Sequence, residues 1–232
     1  MTLMVALALV AYSTHPAGAE EAHRHSGGGP AKAHAISCLP APGRVLQEND
    51  QAEIYLLRDA EGLPDEVWAC SVTHSVVRHL GRLLTCRERS TKERDCSGIA
   101  DPVLAAGLVG FDEVHESFFP AGPESEAARY YVYVKRLVTG LTLRIEATGQ
   151  TPPPDSFAVD SGPTVAVRLQ ADGAVAWIAQ PSDQPYELVA VDDRGHRRLV
   201  AAGSDIEPGS LRLQDHVLSW LQGGTIHTTP LA

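Results

Sequence analysis

Between positions 78 and 94 the chain gathers six basic side chains, Arg78, Arg82, Arg87, Arg89, Lys92 and Arg94, against only Glu88 and Glu93. Elsewhere the balance runs the other way, and the formal net charge is −10. Guanidinium groups clustered in an acidic protein steer and hold anions, because each presents a planar fork of donors to a carboxylate or phosphate. Arg78, Arg82, Arg87, Arg89 and Arg94 are therefore candidate ligand-binding residues. The partner they suit is an anionic cell-envelope polymer or an acidic protein surface. The plain alternative is a solvated loop pinned between Cys86 and Cys96.

Two acidic groupings are weaker. Asp155 and Asp160 lie in the loop PPPDSFAVDSG, where carboxylates and carbonyls can hold calcium. The ligand ladder D-x-D-x-D-G is absent, so a solvated loop is expected. Asp112, Glu113, His115 and Glu116 follow Phe111, and strand alternation puts Glu113 and His115 on one face with Asp112, Val114 and Glu116 on the other. An acid/base or metal pair is conceivable there, but an exposed strand end is the expectation. The sequence holds no phosphate loop, dinucleotide fingerprint, nucleophile elbow or H-E-x-x-H, so neither a cofactor nor a metal is expected. A Ser/His/Asp site assembled from distant positions would leave no such trace.

The segment Leu3 to Tyr12 is an apolar run of signal-peptide length, followed by the small-residue site Pro16-Ala17-Gly18-Ala19. Residues 1–19 thus read as a secretory signal and 20–35, with His23, His25 and His34 in a Gly-rich context, as a disordered linker. The apolar run is too short to span a bilayer. An even count of four cysteines in an exported chain points to disulfides. Three pairings are possible. Cys86 and Cys96 flank a polar stretch that a bridge would close, leaving Cys38 with Cys70. No spacing is C-x-x-C, which argues against zinc. The net negative charge argues against a nucleic-acid partner.

From Ile36 onward, short alternating runs are broken by turn signals, the pattern of antiparallel β-structure. Thr164 to Gln170, Ala174 to Ala179, Tyr186 to Val191 and His196 to Val200 read as four strands of one meander, with Asp172-Gly173 and Asp193-Arg194-Gly195 as turns. The pattern then repeats. Val167-Arg168-Leu169-Gln170 returns as Leu211-Arg212-Leu213-Gln214, 44 residues on by the numbering, and Val175-Ala176-Trp177-Ile178 returns as Leu218-Ser219-Trp220-Leu221, 43 residues on. More divergent copies place Phe111 and Tyr55 where Trp177 and Trp220 stand. One aromatic per unit, Tyr55, Phe111, Trp177 and Trp220, is expected to fill the space between neighbouring sheets.

The runs ADGAVAWIA at 171–179 and YELVAVDDRGHRRL at 186–199 resemble blades of β-propellers of the WD40-like or TolB-like kind. The stretch 163–231 also resembles the C-terminal part of uncharacterised exported bacterial proteins. The resemblance implies a small propeller-like array, with a binding surface at the ends of the ring. A β-sandwich is the alternative. The expected fold is all-β: about four antiparallel meanders at 43–84, 100–147, 163–202 and 208–231, within one domain at 36–232. A strand from Ile36 to Leu46 is expected to complete the last unit and close the ring. The expected function is an exported, non-enzymatic binding or scaffolding module. A hydrolase acting at the mouth of the ring and a structural remnant without a ligand are the alternatives.

Overall fold

The computed structural model describes residue 38 and residues 43–58, 65–90, 93–118, 126–147, 163–181 and 184–231. The expected signal segment, the linker, and Asp155 and Asp160 lie outside the described residues.

The described chain is built from four antiparallel meanders, each following the last in sequence. Sheet 1 is β1 (Arg44–Glu48), β2 (Ala52–Leu57), β3 (Glu66–Ser71) and β4 (Val76–Arg82). Sheet 2 is β5 (Thr85–Ser90), β6 (Glu93–Ala105), β7 (Leu108–Phe118), β8 (Glu126–Arg136) and β9 (Thr142–Glu146). Sheet 3 is β10 (Thr164–Leu169), β11 (Val175–Ala179), β12 (Tyr186–Val191) and β13 (Arg197–Gly203). Sheet 4 is β14 (Ile206–Gln214), β15 (Val217–Gln222) and β16 (Thr225–Pro230). The all-β expectation and its antiparallel units hold.

Turn chemistry fixes the ladders. Asp215 and His216 both take positive φ, 48° and 60°, between β14 and β15, and Gly223 and Gly224 do so between β15 and β16. Two central residues of this kind match the twist of a tight hairpin.

Three apolar layers hold the sheets face to face. Ile54, Leu56 and Val67 of sheet 1 meet Val109 and Phe111 of sheet 2. Val114 and Val132 of sheet 2 meet Val175 and Trp177 of sheet 3. Ala176 and Ile178 of sheet 3 meet Leu211, Leu218 and Trp220 of sheet 4. Sheets 2 and 3 are thus covered on both faces. This explains why β11 is apolar throughout rather than alternating: it is buried at every position.

Three of the four recurring aromatics fill the space between neighbouring sheets as expected, and Tyr55 does not. Each sits on the strand after its unit's innermost one, and each is buried: Tyr55, Phe111, Trp177 and Trp220. Phe111 faces sheet 1, Trp177 faces sheet 2 and Trp220 faces sheet 3, so each points back at the preceding unit. Tyr55 lies on the face of sheet 1 opposite Ile54 and Leu56, beside its cross-strand partner Trp68. Trp177 also donates its indole N–H to the Ala147 carbonyl at 2.6 Å, which satisfies the one polar atom that its burial would otherwise strand.

Three expectations need correction. Among the described residues no closing strand is formed. Arg44–Glu48 pairs with β2 inside sheet 1, and sheet 4 has three described strands, so the described array is not closed. Alternation in Arg44–Glu48 suits β2 as well as any other edge, and β2 is only three residues away. The polar stretch between Cys86 and Cys96 is a hairpin rather than a loop. β5 pairs with the start of β6, and Cys86 stands directly opposite Cys96. Sheet 2 therefore begins at Thr85, ahead of the expected unit boundary. Finally, Asp112 is buried at 2% exposure rather than lying at an exposed strand end, because the second face of β7 is covered by sheet 3.

Candidate binding groove

One strand from each unit, β1, β6, β10 and β14, runs beside the next on the inner side of the array. β1, β10 and β14 are sheet edges, and the part of β6 beyond Ser97 has no β5 partner. Inner-edge strands carry peptide groups that no ladder satisfies, and side chains from neighbouring units take them up. Gln47 on β1 donates to the Pro102 carbonyl at 2.9 Å and accepts from Leu104 N–H at 3.1 Å. Asn49 donates to the Ala106 carbonyl at 3.1 Å. Arg168 on β10 donates through Nε to the Leu211 carbonyl of β14 at 2.9 Å and through Nη1 to the Val167 carbonyl at 2.7 Å.

Between these strands lies a groove of about 460 Å³. Leu46 and Gln47 come from β1, Asp101, Pro102 and Val103 from β6, Val165 to Arg168 from β10, and Pro208 and Gly209 from β14. All four units contribute. The lining is mostly apolar, with one carboxylate and one guanidinium facing each other across it, the composition expected of a small-ligand or chain-binding cleft.

Two local features set its electrostatics. Asp101 has φ 42°, at a bulge where β6 slips register against β7 between Ala100 and Val103. Aspartate tolerates this left-handed conformation better than most residues. Behind it, Asp112 has an Oδ1 with no hydrogen-bond partner. Burial, and next the charge of Asp101, push the Asp112 carboxyl up to about 8. Arg168 is drawn down, first by burial and then by the neighbouring positive charge of Arg212, while Asp101 pulls it back up. Arg212 stands at the rim, exposed, with Nη1 donating to the Gly209 carbonyl at 3.0 Å and the Leu211 carbonyl at 2.8 Å.

The basic stretch expected from sequence is not one surface. Arg78 faces sheet 2, donating through Nε to the Leu137 carbonyl at 2.9 Å and through Nη2 to the Val138 carbonyl at 3.1 Å. Arg82 lies on the opposite face of sheet 1, its Nε 2.9 Å from Glu66, which also pairs with His79. Burial works against the Glu66 carboxylate, but the hydrogen bonds from Arg82 and His79 hold it below its ordinary range. Arg87, Arg89 and Arg94 are placed by register alone: Arg87 opposite Asp95, Arg94 opposite Glu88, and Arg89 within β5. Glu113 is a partner of Tyr133. Burial, and next that hydrogen bond, raise the Tyr133 phenol to about 12. His115 and Glu116 sit further along β7, opposite Arg129 and Ala128.

Both expected disulfides are present, Cys38–Cys70 and Cys86–Cys96. Cys38, Glu53 and Cys70 come close enough to suggest a metal cluster, but the two sulfurs are bonded to each other and offer no thiolate. No described helix is long and apolar enough to cross a membrane.

Sequence reasoning missed Arg168 and Arg212 as site residues, although the repeated V-R-L-Q and L-R-L-Q contain them. The signal was a charged residue recurring at the structural period, on a strand otherwise apolar.

No protein-family model matches the chain, and no curated protein matches it. Among solved structures, it is similar to hydrazine synthase of Kuenenia stuttgartiensis at a TM-score of 0.37 and 13% identity. The similarity covers 78% of this chain and 30% of that one, so the chain spans less than a third of that protein's length. A likeness this loose says nothing about activity.

Proposed function

We propose that this is an exported, non-enzymatic binding module that holds a protein segment or a cell-envelope polymer in the groove between β1, β6, β10 and β14. The observation that carries the reading is the convergence of all four units on one cleft with an apolar floor and two opposed charges. Two disulfides fit a protein that works in an oxidising compartment. The described lining supplies no hydroxyl, thiol or imidazole, which favours binding over hydrolysis.

Gly209 provides the test. A Cβ built there meets no atom within 4 Å, so Gly209→Trp fills the groove without disturbing the fold. The purified protein should be retained by at least one member of a panel of immobilised envelope polysaccharides and proteins, and Gly209→Trp should abolish that retention. Retention that survives the substitution moves the site elsewhere. No retention on any surface leaves the scaffold reading.

The hydrolase reading has one observation behind it, a buried carboxyl raised to about 8 next to the groove carboxylate Asp101. A turnover assay on chromogenic glycosides and esters, repeated with Asp112→Asn, decides it. Activity lost in the variant would establish the enzyme.

A further inference from the structure

We infer that the groove holds an oxyanion, a carboxylate or phosphate group borne by the ligand, between Arg168 and Arg212. The inference rests on reading the groove as the binding site. Two guanidinium groups meet at one carbonyl oxygen, that of Leu211. Neither takes part in a described ion pair; their hydrogen bonds go to carbonyls. Each guanidinium has five donor hydrogens in a rigid fork, so backbone acceptors leave part of both forks for a ligand. Two like charges at one oxygen repel, Asp101 offsets only part of that for Arg168, and an anion seated between the guanidinium groups removes the remaining cost and gains charge-assisted hydrogen bonds. The protein's overall charge of −10 repels anions in general, which makes a local cationic pair selective. Apolar Val165 and Val167 line the groove with Arg168, as do Pro208 and Gly209, and the Gly209 carbonyl accepts from Arg212. An extended chain with anionic groups spaced along an otherwise uncharged backbone fits that alternation. Asp101 acts on Arg168 from β6 and opposes the ligand's charge, tuning affinity down.

The experiment is a binding titration of the whole mature protein with three polymers of similar length: polygalacturonate, polyphosphate and neutral dextran. At least one anionic polymer is expected to bind, weakening as salt rises, while dextran does not. The stronger of the two identifies carboxylate or phosphate. Arg212 is exposed, so Arg212→Gln folds normally, and it is expected to weaken binding about tenfold, the loss of one charge-assisted contact. Asp101→Asn keeps a residue suited to positive φ and is expected to tighten binding by about threefold by removing an opposing charge across solvent. Dextran binding that Gly209→Trp abolishes and Arg212→Gln leaves alone would keep the groove and overturn the oxyanion. Anion binding that none of the three variants changes would place the anion outside the groove and overturn both. Failure of all three polymers to bind would also overturn the oxyanion.

Discussion

Arg168 and Arg212 donate to the same oxygen, the carbonyl of Leu211, at 2.9 and 2.8 Å. The two occupy equivalent positions in consecutive units. Arg168 reaches forward from sheet 3 to the first strand of sheet 4, as Gln47 reaches from sheet 1 to β6. Arg212 instead turns back onto its own strand. A second cation thereby stands beside the first.

A double-mutant cycle should expose this sharing. Arg168→Met alone is expected to cost about 1 kcal/mol, because Arg212 still serves the Leu211 carbonyl. Arg212→Met alone should be near neutral. The double substitution strands the carbonyl and should cost more than the two single changes combined, by about 1 kcal/mol. Chemical denaturation of the four proteins reads the coupling directly, and simple additivity would mean the shared oxygen has no energetic weight.

Gln47 is the corresponding tie at the other end. Its amide both gives and takes a hydrogen bond with β6. Gln47→Ala leaves two inner-edge peptide groups without a partner, and a loss of about 2 kcal/mol is expected in a urea melt. An unchanged midpoint would show that solvent in the groove satisfies those groups equally well.

Asp112 makes stability depend on pH. In the folded protein its carboxyl keeps its proton to about 8, whereas the ordinary value is 3.8. Across that window the folded state binds more protons than the unfolded one, so this residue lowers stability progressively as pH rises from about 4 to about 8. Asp112→Asn removes the titration. The variant should melt several degrees above the parent near pH 8, and the gap should close near pH 4. Melting curves that stay parallel across this range would show that Asp112 ionises normally in the folded protein.

The β-class and its antiparallel sheets were legible because turn pairs such as Asp172-Gly173 and alternating strands leave a local signature. Trp177 and Trp220 were legible as a repeated aromatic, and both are buried. Which sheet each faces was not, since alternation gives two faces without saying what covers them. The same gap hid the burial of Asp112. The hairpin at Cys86–Cys96 was hidden for another reason: its arms, rich in Arg and Glu, lack apolar alternation, and the register sets Arg87 opposite Asp95, Glu88 opposite Arg94 and Cys86 opposite its disulfide partner Cys96. The arginine run looked like a patch because sequence distance conceals that Arg78 and Arg82 lie on opposite faces of sheet 1. Arg168 and Arg212, far apart in sequence, meet only because consecutive units stack.

The two disulfides should differ in their contribution. Cys38–Cys70 spans 32 residues and Cys86–Cys96 spans 10. Loop-closure entropy assigns about 4 kcal/mol to the first and about 3 kcal/mol to the second. Cys38→Ser/Cys70→Ser should therefore lower the melting temperature more than Cys86→Ser/Cys96→Ser. The reverse order would mean that the β5–β6 hairpin is required for sheet 2 to form.

The most direct test of the groove is a two-dimensional NMR titration of the isotopically labelled protein with the polymer that binds best. Shifts are expected to concentrate on Val103, Ala166, Gly209 and the Nε–H groups of Arg168 and Arg212, with Gly195 and Gly140 unmoved. Shifts confined to Trp68, His79 and Arg82 on the outer face of sheet 1 would contradict the groove as the binding site.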